Sequence, residues 1–187
     1  MSDMEAVQQL TNFDVPFNVE LFDAVVAAFY QGDMRVQAIL VSFQEHPLAW
    51  TRVDSIVETS SNDNAKQLAL CILENCVKFR WKTLPPEQRE GIRNYTVNLV
   101  IKLSSDDQTL QVNQRIVNKL NLVLVELVRR EWPQNWPNFI PDLVGASKTG
   151  LLKNPTQPNP RLVKYTLLTD PVQNKPSLSL SLSLSLF

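Results

Sequence analysis

Histidine is almost missing from this chain: His46 stands alone, directly before a helix-stopping proline. One imidazole cannot assemble a Ser-His-Asp triad or a multi-histidine metal site. Glycine is scarce too, with four in 187 residues, and none falls in a phosphate-cradling pattern. Carboxylate pairs such as Glu87 and Glu90 are accounted for by the helix start they occupy. An enzyme is therefore not expected, and neither a cofactor nor a metal. The two cysteines, Cys71 and Cys76, fall on nearly opposite sides of one expected helix and cannot bridge without unwinding it. Both read as core thiols. A long hydrophobic run is also lacking, since Asn121 and Glu126 interrupt the richest apolar stretch, residues 120–128. The first residues carry no basic flank followed by an apolar core. Neither a membrane span nor a secretory leader is expected, and a reducing compartment, cytosol or nucleus, follows. Asn94-Tyr95-Thr96, which spells a glycosylation acceptor, is then a chance match.

The net charge of −1 conceals a polarised chain. Ten acidic residues face two basic ones before Lys66, and nine face sixteen from Lys66 onward. The basic residues are spread over several helices, without the interleaved aromatic platform of a single-strand binder. They read as solvated helix faces, and direct nucleic-acid binding is not expected.

Apolar periodicity and capping signals are abundant. After a lead-in over residues 1–17, expected to be partly ordered, Asn18 caps a helix whose stripe is Leu21, Phe22, Val25 and Phe29 and which ends before Gly32. Val36, Ile39, Leu40 and Phe43 repeat the stripe until His46-Pro47, and the short turn between the two makes an antiparallel hairpin. A third helix, about 48–59, turns Trp50, Val53, Ile56 and Val57 inward. Asn62 or Asp63 caps a fourth that runs to Trp81, with Leu68, Ala69, Ile72, Leu73, Cys76, Val77 and Phe79 inward and Asn64, Gln67, Glu74, Asn75 and Lys78 as its polar stripe. Pro85 and Pro86 open a fifth, carrying Ile92, Tyr95, Leu99, Ile101 and Leu103 to a break at residues 104–107. The sixth, about 108–132, is the longest. Ile116, Leu120, Val123, Leu124 and Leu127 form its apolar arc, with Arg115, Lys119, Glu126, Arg129 and Arg130 facing away.

Two Trp-Pro pairs, Trp132-Pro133 and Trp136-Pro137, then turn the chain into a seventh helix bearing Phe139, Ile140, Leu143 and Val144, whose start Pro141 delays or kinks. Both indoles read as plugs wedged between packed helices, a structural corner and not an active site. Three hairpins with a seventh helix begun, spaced at about forty residues, predict an all-α, right-handed α-α superhelix of the HEAT/armadillo-like kind. Stacked helices of this kind expose an inner row, here the second, fourth and sixth, that binds proteins. Beyond Gly150 the prolines of Asn154-Pro155-Thr156-Gln157-Pro158-Asn159-Pro160 exclude an eighth helix. From Ser177 the chain alternates Ser and Leu, as a translated CT repeat would. Residues 150–187 are expected to be a disordered, non-homologous tail.

Residues 72–81 (Ile-Leu-Glu-Asn-Cys-Val-Lys-Phe-Arg-Trp), Leu84-Pro85, Leu120-Asn121, Glu131-Trp132-Pro133 with Trp136-Pro137, Phe139-Ile140 and residues 142–149 (Asp-Leu-Val-Gly-Ala-Ser-Lys-Thr) together resemble the start of a karyopherin-β nuclear exportin of the type that carries leucine-rich export signals. His46-Pro47 with residues 49–54 looks like the same family's approach to its second repeat. The resemblance covers roughly residues 15–149; the turn after Gly32 is about one helical turn shorter than the family pattern, and nothing after Gly150 matches.

This resemblance implies importin-β N-terminal-type HEAT repeats over 18–149. It also implies binding of the small GTPase Ran in its GTP form by the inner helices, Phe-Gly nucleoporins on outer surfaces, and shuttling between nucleus and cytoplasm. Export cargo is not expected to bind here, because its groove lies in later repeats. The Ran-contact candidates are the inner polar stripes: Gln67, Glu74, Asn75 and Lys78 with Arg115 and Lys119. The alternatives are a generic helical-repeat interaction scaffold and a non-functional truncated isoform.

Overall fold

The computed structural model describes residues 3–141, and among these every regular element is helical. The helices are α1 Asp3–Thr11, α2 Val19–Tyr30, α3 Gln37–Glu45, α4 Val53–Thr59, α5 Asp63–Asn75, α6 Pro86–Leu103, α7 Asp107–Val112 and α8 Gln114–Glu131. They pair as hairpins, α2 with α3, α4 with α5 and α6 with α8, and the hairpins meet where α5 packs on both α2 and α8. The all-α, HEAT-like expectation holds.

The chain's punctuation works as anticipated. Asn18 Oδ1 accepts from the Leu21 amide at 2.9 Å and Asn62 Oδ1 from the Asn64 amide at 2.9 Å, satisfying amides that a helix start leaves open. Pro86 occupies the first turn of α6, where its missing N–H costs nothing. Gly32, at φ 95°, turns the chain after α2, and a short 3₁₀ turn at Met34–Val36 leads into α3. Phe22, Val26, Phe43, Ile56, Leu70, Leu120, Val123 and Leu127 are enclosed, each contributing roughly 1.5–3 kcal/mol of burial.

Several expectations need correcting. The lead-in holds a helix: α1 packs on α3 and buries Ala6 and Leu10. The segment after it is pinned by Arg52, whose Nη2 donates to the carbonyls of Phe13 and Val15 at 2.9 Å and whose guanidinium lies 5.1 Å from the Phe13 ring centre. Phe13 stacks on His46 and Phe17 on Phe43, so aromatic burial orders the stretch. The long sixth helix is two helices, because Asn113 turns its amide onto the Thr109 carbonyl and leaves helical geometry. Cys71 is only half-buried, whereas Cys76 is enclosed and burial pushes its thiol up to about 11. Ile101 is exposed; α6 buries Ile92 and Leu99 as its stripe predicts, together with Thr96 and Val100.

The largest departure lies at the end of the fourth expected helix. After Asn75 the α-helix widens into a π-turn, Cys76–Arg80, followed by a 3₁₀ turn, Trp81–Thr83. A π-turn inserts one residue into the helical cycle. The inward position that would fall on Arg80, four after Cys76, falls on Trp81 instead. Trp81 is buried and Phe79 is turned out, 79% exposed, against the inward placement its spacing suggested.

A helical segment opens at Phe139 with Pro141 in its first turn. Leu143, Val144, the rest of the seventh helix and the tail 150–187 lie outside the described residues.

Candidate functional site

Three of the six nominated residues converge. Glu74 near the end of α5 accepts from Lys78 Nζ at 2.5 Å, one helical turn on, and its other oxygen accepts from Lys119 Nζ on α8. One carboxylate therefore holds two ammonium groups across the α5–α8 seam. Glu74 and Lys119 are mostly buried and Lys78 about a third exposed. Burial raises the Glu74 pKa, but the hydrogen bonds from Lys119 and Lys78 outweigh it and leave the carboxyl below its ordinary value. Burial likewise lowers Lys119, while its hydrogen bonds to Glu74 and Cys71 outweigh that and hold it above its ordinary value. Both shifts favour the charged forms of Glu74 and Lys119 at neutral pH.

The other nominees differ. Asn75 and Arg115 are exposed. Gln67 is half-buried, and its enclosed Nε2 finds no hydrogen-bond partner among the described residues. Lys119 and Lys78 are thus not the loosely solvated positions that their place on a polar stripe suggested.

A second network lies at the far end of the same helices, and sequence reasoning missed its centre. Glu131, 3% exposed, accepts from Trp81 Nε1 at 2.5 Å and has Arg93 at 3.6 Å and Arg89 at 3.9 Å. Its carbonyl takes the amides of Asn135 and Trp136 at 2.7 and 3.0 Å, closing the turn after α8. Arg93 stands 5.2 Å from the centre of the Trp136 ring. Arg130 next door donates to Glu126 at 2.6 Å and to the Lys78 carbonyl at 2.8 Å, covering an acceptor of the π-turn. The signal for Glu131 was the 89/93 arginine pair at helical spacing, which calls for a carboxylate.

The corner is therefore asymmetric. Trp136 is buried as expected. Trp132 is 39% exposed, not the plug anticipated: the chain leaves α8 there in extended geometry. Pro133 and Pro137 are exposed. Among the described residues no group of three or more His, Cys, Asp or Glu side chains could hold a metal ion. No helix among them is long and apolar enough to cross a membrane.

Hairpins stacked through such a seam define a helical-repeat protein. A family model for the importin-beta N-terminal domain matches residues 36–102, and one for exportin 1-like proteins matches residues 113–168, so the family likeness runs past Gly150, where none was expected. Within that class the chain belongs to the exportins, a family of nuclear transport receptors. It is 45% identical over 149 residues to Exportin-1 of Dictyostelium discoideum, covering 76% of this chain and 14% of that protein. Exportin-1 of Schizosaccharomyces pombe is 49% identical over 143 residues (74% of this chain, 13% of the relative). For Exportin-1 of Drosophila melanogaster the figures are 49% over 145 residues (75% and 14%). The chain thus spans about one seventh of the length of these relatives.

Proposed function

We propose that this chain supplies the GTPase-contacting, N-terminal part of a nuclear export receptor, and that Ran in its GTP form docks on the exposed side of the α5–α8 seam. The observation that carries the reading is the Glu74 bridge. It fixes Lys78 and Lys119 on adjacent helices, with Asn75 and Arg115 exposed on the same two helices. A cationic patch already ordered by its own ion pairs loses less side-chain freedom on binding and favours an acidic partner surface. Phe-Gly nucleoporins are the second partner proposed, on the open apolar groove lined by Pro47, Leu48, Trp50, Leu84 and Pro85. The role is transport between nucleus and cytoplasm without catalysis, direct nucleic-acid contact or membrane insertion, and cargo recognition is assigned to repeats outside this chain.

Charge reversal tests the docking face. Lys78→Glu with Lys119→Glu, and separately Arg115→Glu, are each expected to weaken capture of Ran-GTP by about tenfold or more, as truncating charge pairs does at such interfaces. The double variant also sets three carboxylates together and lowers the melting temperature. Arg115→Glu alters an exposed side chain and leaves stability unchanged. Undiminished capture by both variants would remove this face from the interface.

A further inference from the structure

Every other phenylalanine among the described residues is buried or half-buried, whereas Phe79 stands 79% exposed on the π-turn. Its neighbours show which way it faces. Lys78 reaches toward α8, bonding Glu74 beside Lys119 and offering its carbonyl to Arg130. Arg80 reaches the opposite way, donating from Nη2 to the Glu45 carbonyl at the end of α3 at 3.3 Å. Phe79 lies between these two directions and Trp81 fills the core behind it, so the ring stands on the outer crest of this helix end, flanked on both sides by cationic side chains. Lys82, also exposed, adds a third positive charge nearby.

We infer that Phe79 is the apolar anchor of the docking face, seated in an apolar pocket rimmed by carboxylates on the bound GTPase. The inference rests on the reading above. Aromatic side chains, phenylalanine included, are enriched in protein interfaces, and the lysines and arginine around this one favour an acidic rim. The π-turn is the device that presents the ring: an uninterrupted α-helix would carry it toward the core and bring Arg80 in where Trp81 now sits.

The test uses the whole chain and Ran loaded with a non-hydrolysable GTP analogue. Phe79→Ala is expected to weaken binding by about tenfold or more, Phe79→Leu by much less, and neither to shift the melting temperature, since the ring is already in water. Phe79→Ala binding as tightly as the unsubstituted chain would overturn the inference while leaving the docking face in place. Absence of binding by the unsubstituted chain would overturn the GTPase reading and this anchor with it.

Discussion

Glu131→Ala is expected to lower stability by about 3–5 kcal/mol, a fall in melting temperature of roughly 10 °C, measured by thermal or denaturant unfolding of the whole chain. The carboxylate is buried and serves a tryptophan N–H and two guanidinium groups at once. Removing it leaves the enclosed Trp81 N–H without its acceptor and Arg93 with only Glu90 at 3.9 Å and the Asn135 carbonyl at 3.3 Å, which costs more than the loss of an exposed pair. Glu131→Gln keeps an acceptor for Trp81 but loses the charge facing Arg93, so an intermediate loss follows. If Glu131→Ala melted like the unsubstituted chain, the network would contribute nothing measurable to holding α6, α8 and the 3₁₀ turn at Trp81 together.

The two corner tryptophans should part company under the same substitution. Trp136→Ala removes a buried ring that also receives Arg93, and a loss of about 3–5 kcal/mol is expected. Trp132→Ala trims a ring that is 39% exposed and should cost about 1 kcal/mol or less. Equal losses would show that Trp132 is as enclosed as Trp136. The chemistry of the two Trp-Pro pairs is the same, so only their placement can separate the outcomes.

Much of the fold was legible because the signals were local. Asn18, Asn62 and Pro86 act on amides within their own first turns, and the stripe Ile116, Leu120, Val123, Leu124 and Leu127 lies on one helix whose periodicity needs no partner to be seen. The outward turn of Phe79 is not legible because a π-turn leaves no mark in apolar spacing: one added residue shifts the phase, and the side chain that covers a π-turn carbonyl, Arg130, lies 52 positions beyond Lys78. Trp81 and Glu131 are 50 positions apart. A glutamate at a helix end beside two arginines reads as solvated until its distant tryptophan is found. Helix α1 is not legible because its buried residues, Ala6 and Leu10, make too short a stripe to distinguish from a polar lead-in. The polar arcs hold Glu74, Lys78 and Lys119 but not their bridge, since the arcs of two helices do not reveal which residues face one another across the seam.

That bridge changes how the proposed docking face is understood. A solvated stripe would present its charges loosely and screened by salt. Charges held by a shared, mostly buried carboxylate present a fixed pattern, and the bare ring of Phe79 stands beside them. The combination of fixed cations and an unburied aromatic favours a dedicated protein partner over a generic scaffold surface.

The most direct measurement of the central claim compares affinity of the whole chain for Ran loaded with a non-hydrolysable GTP analogue and for Ran loaded with GDP, under identical salt. The account predicts binding to the GTP form at least about tenfold tighter, a coupling of roughly 1.4 kcal/mol between nucleotide state and docking. Equal affinity for the two forms, or none for either, would contradict it and leave a helical-repeat scaffold that does not read the nucleotide.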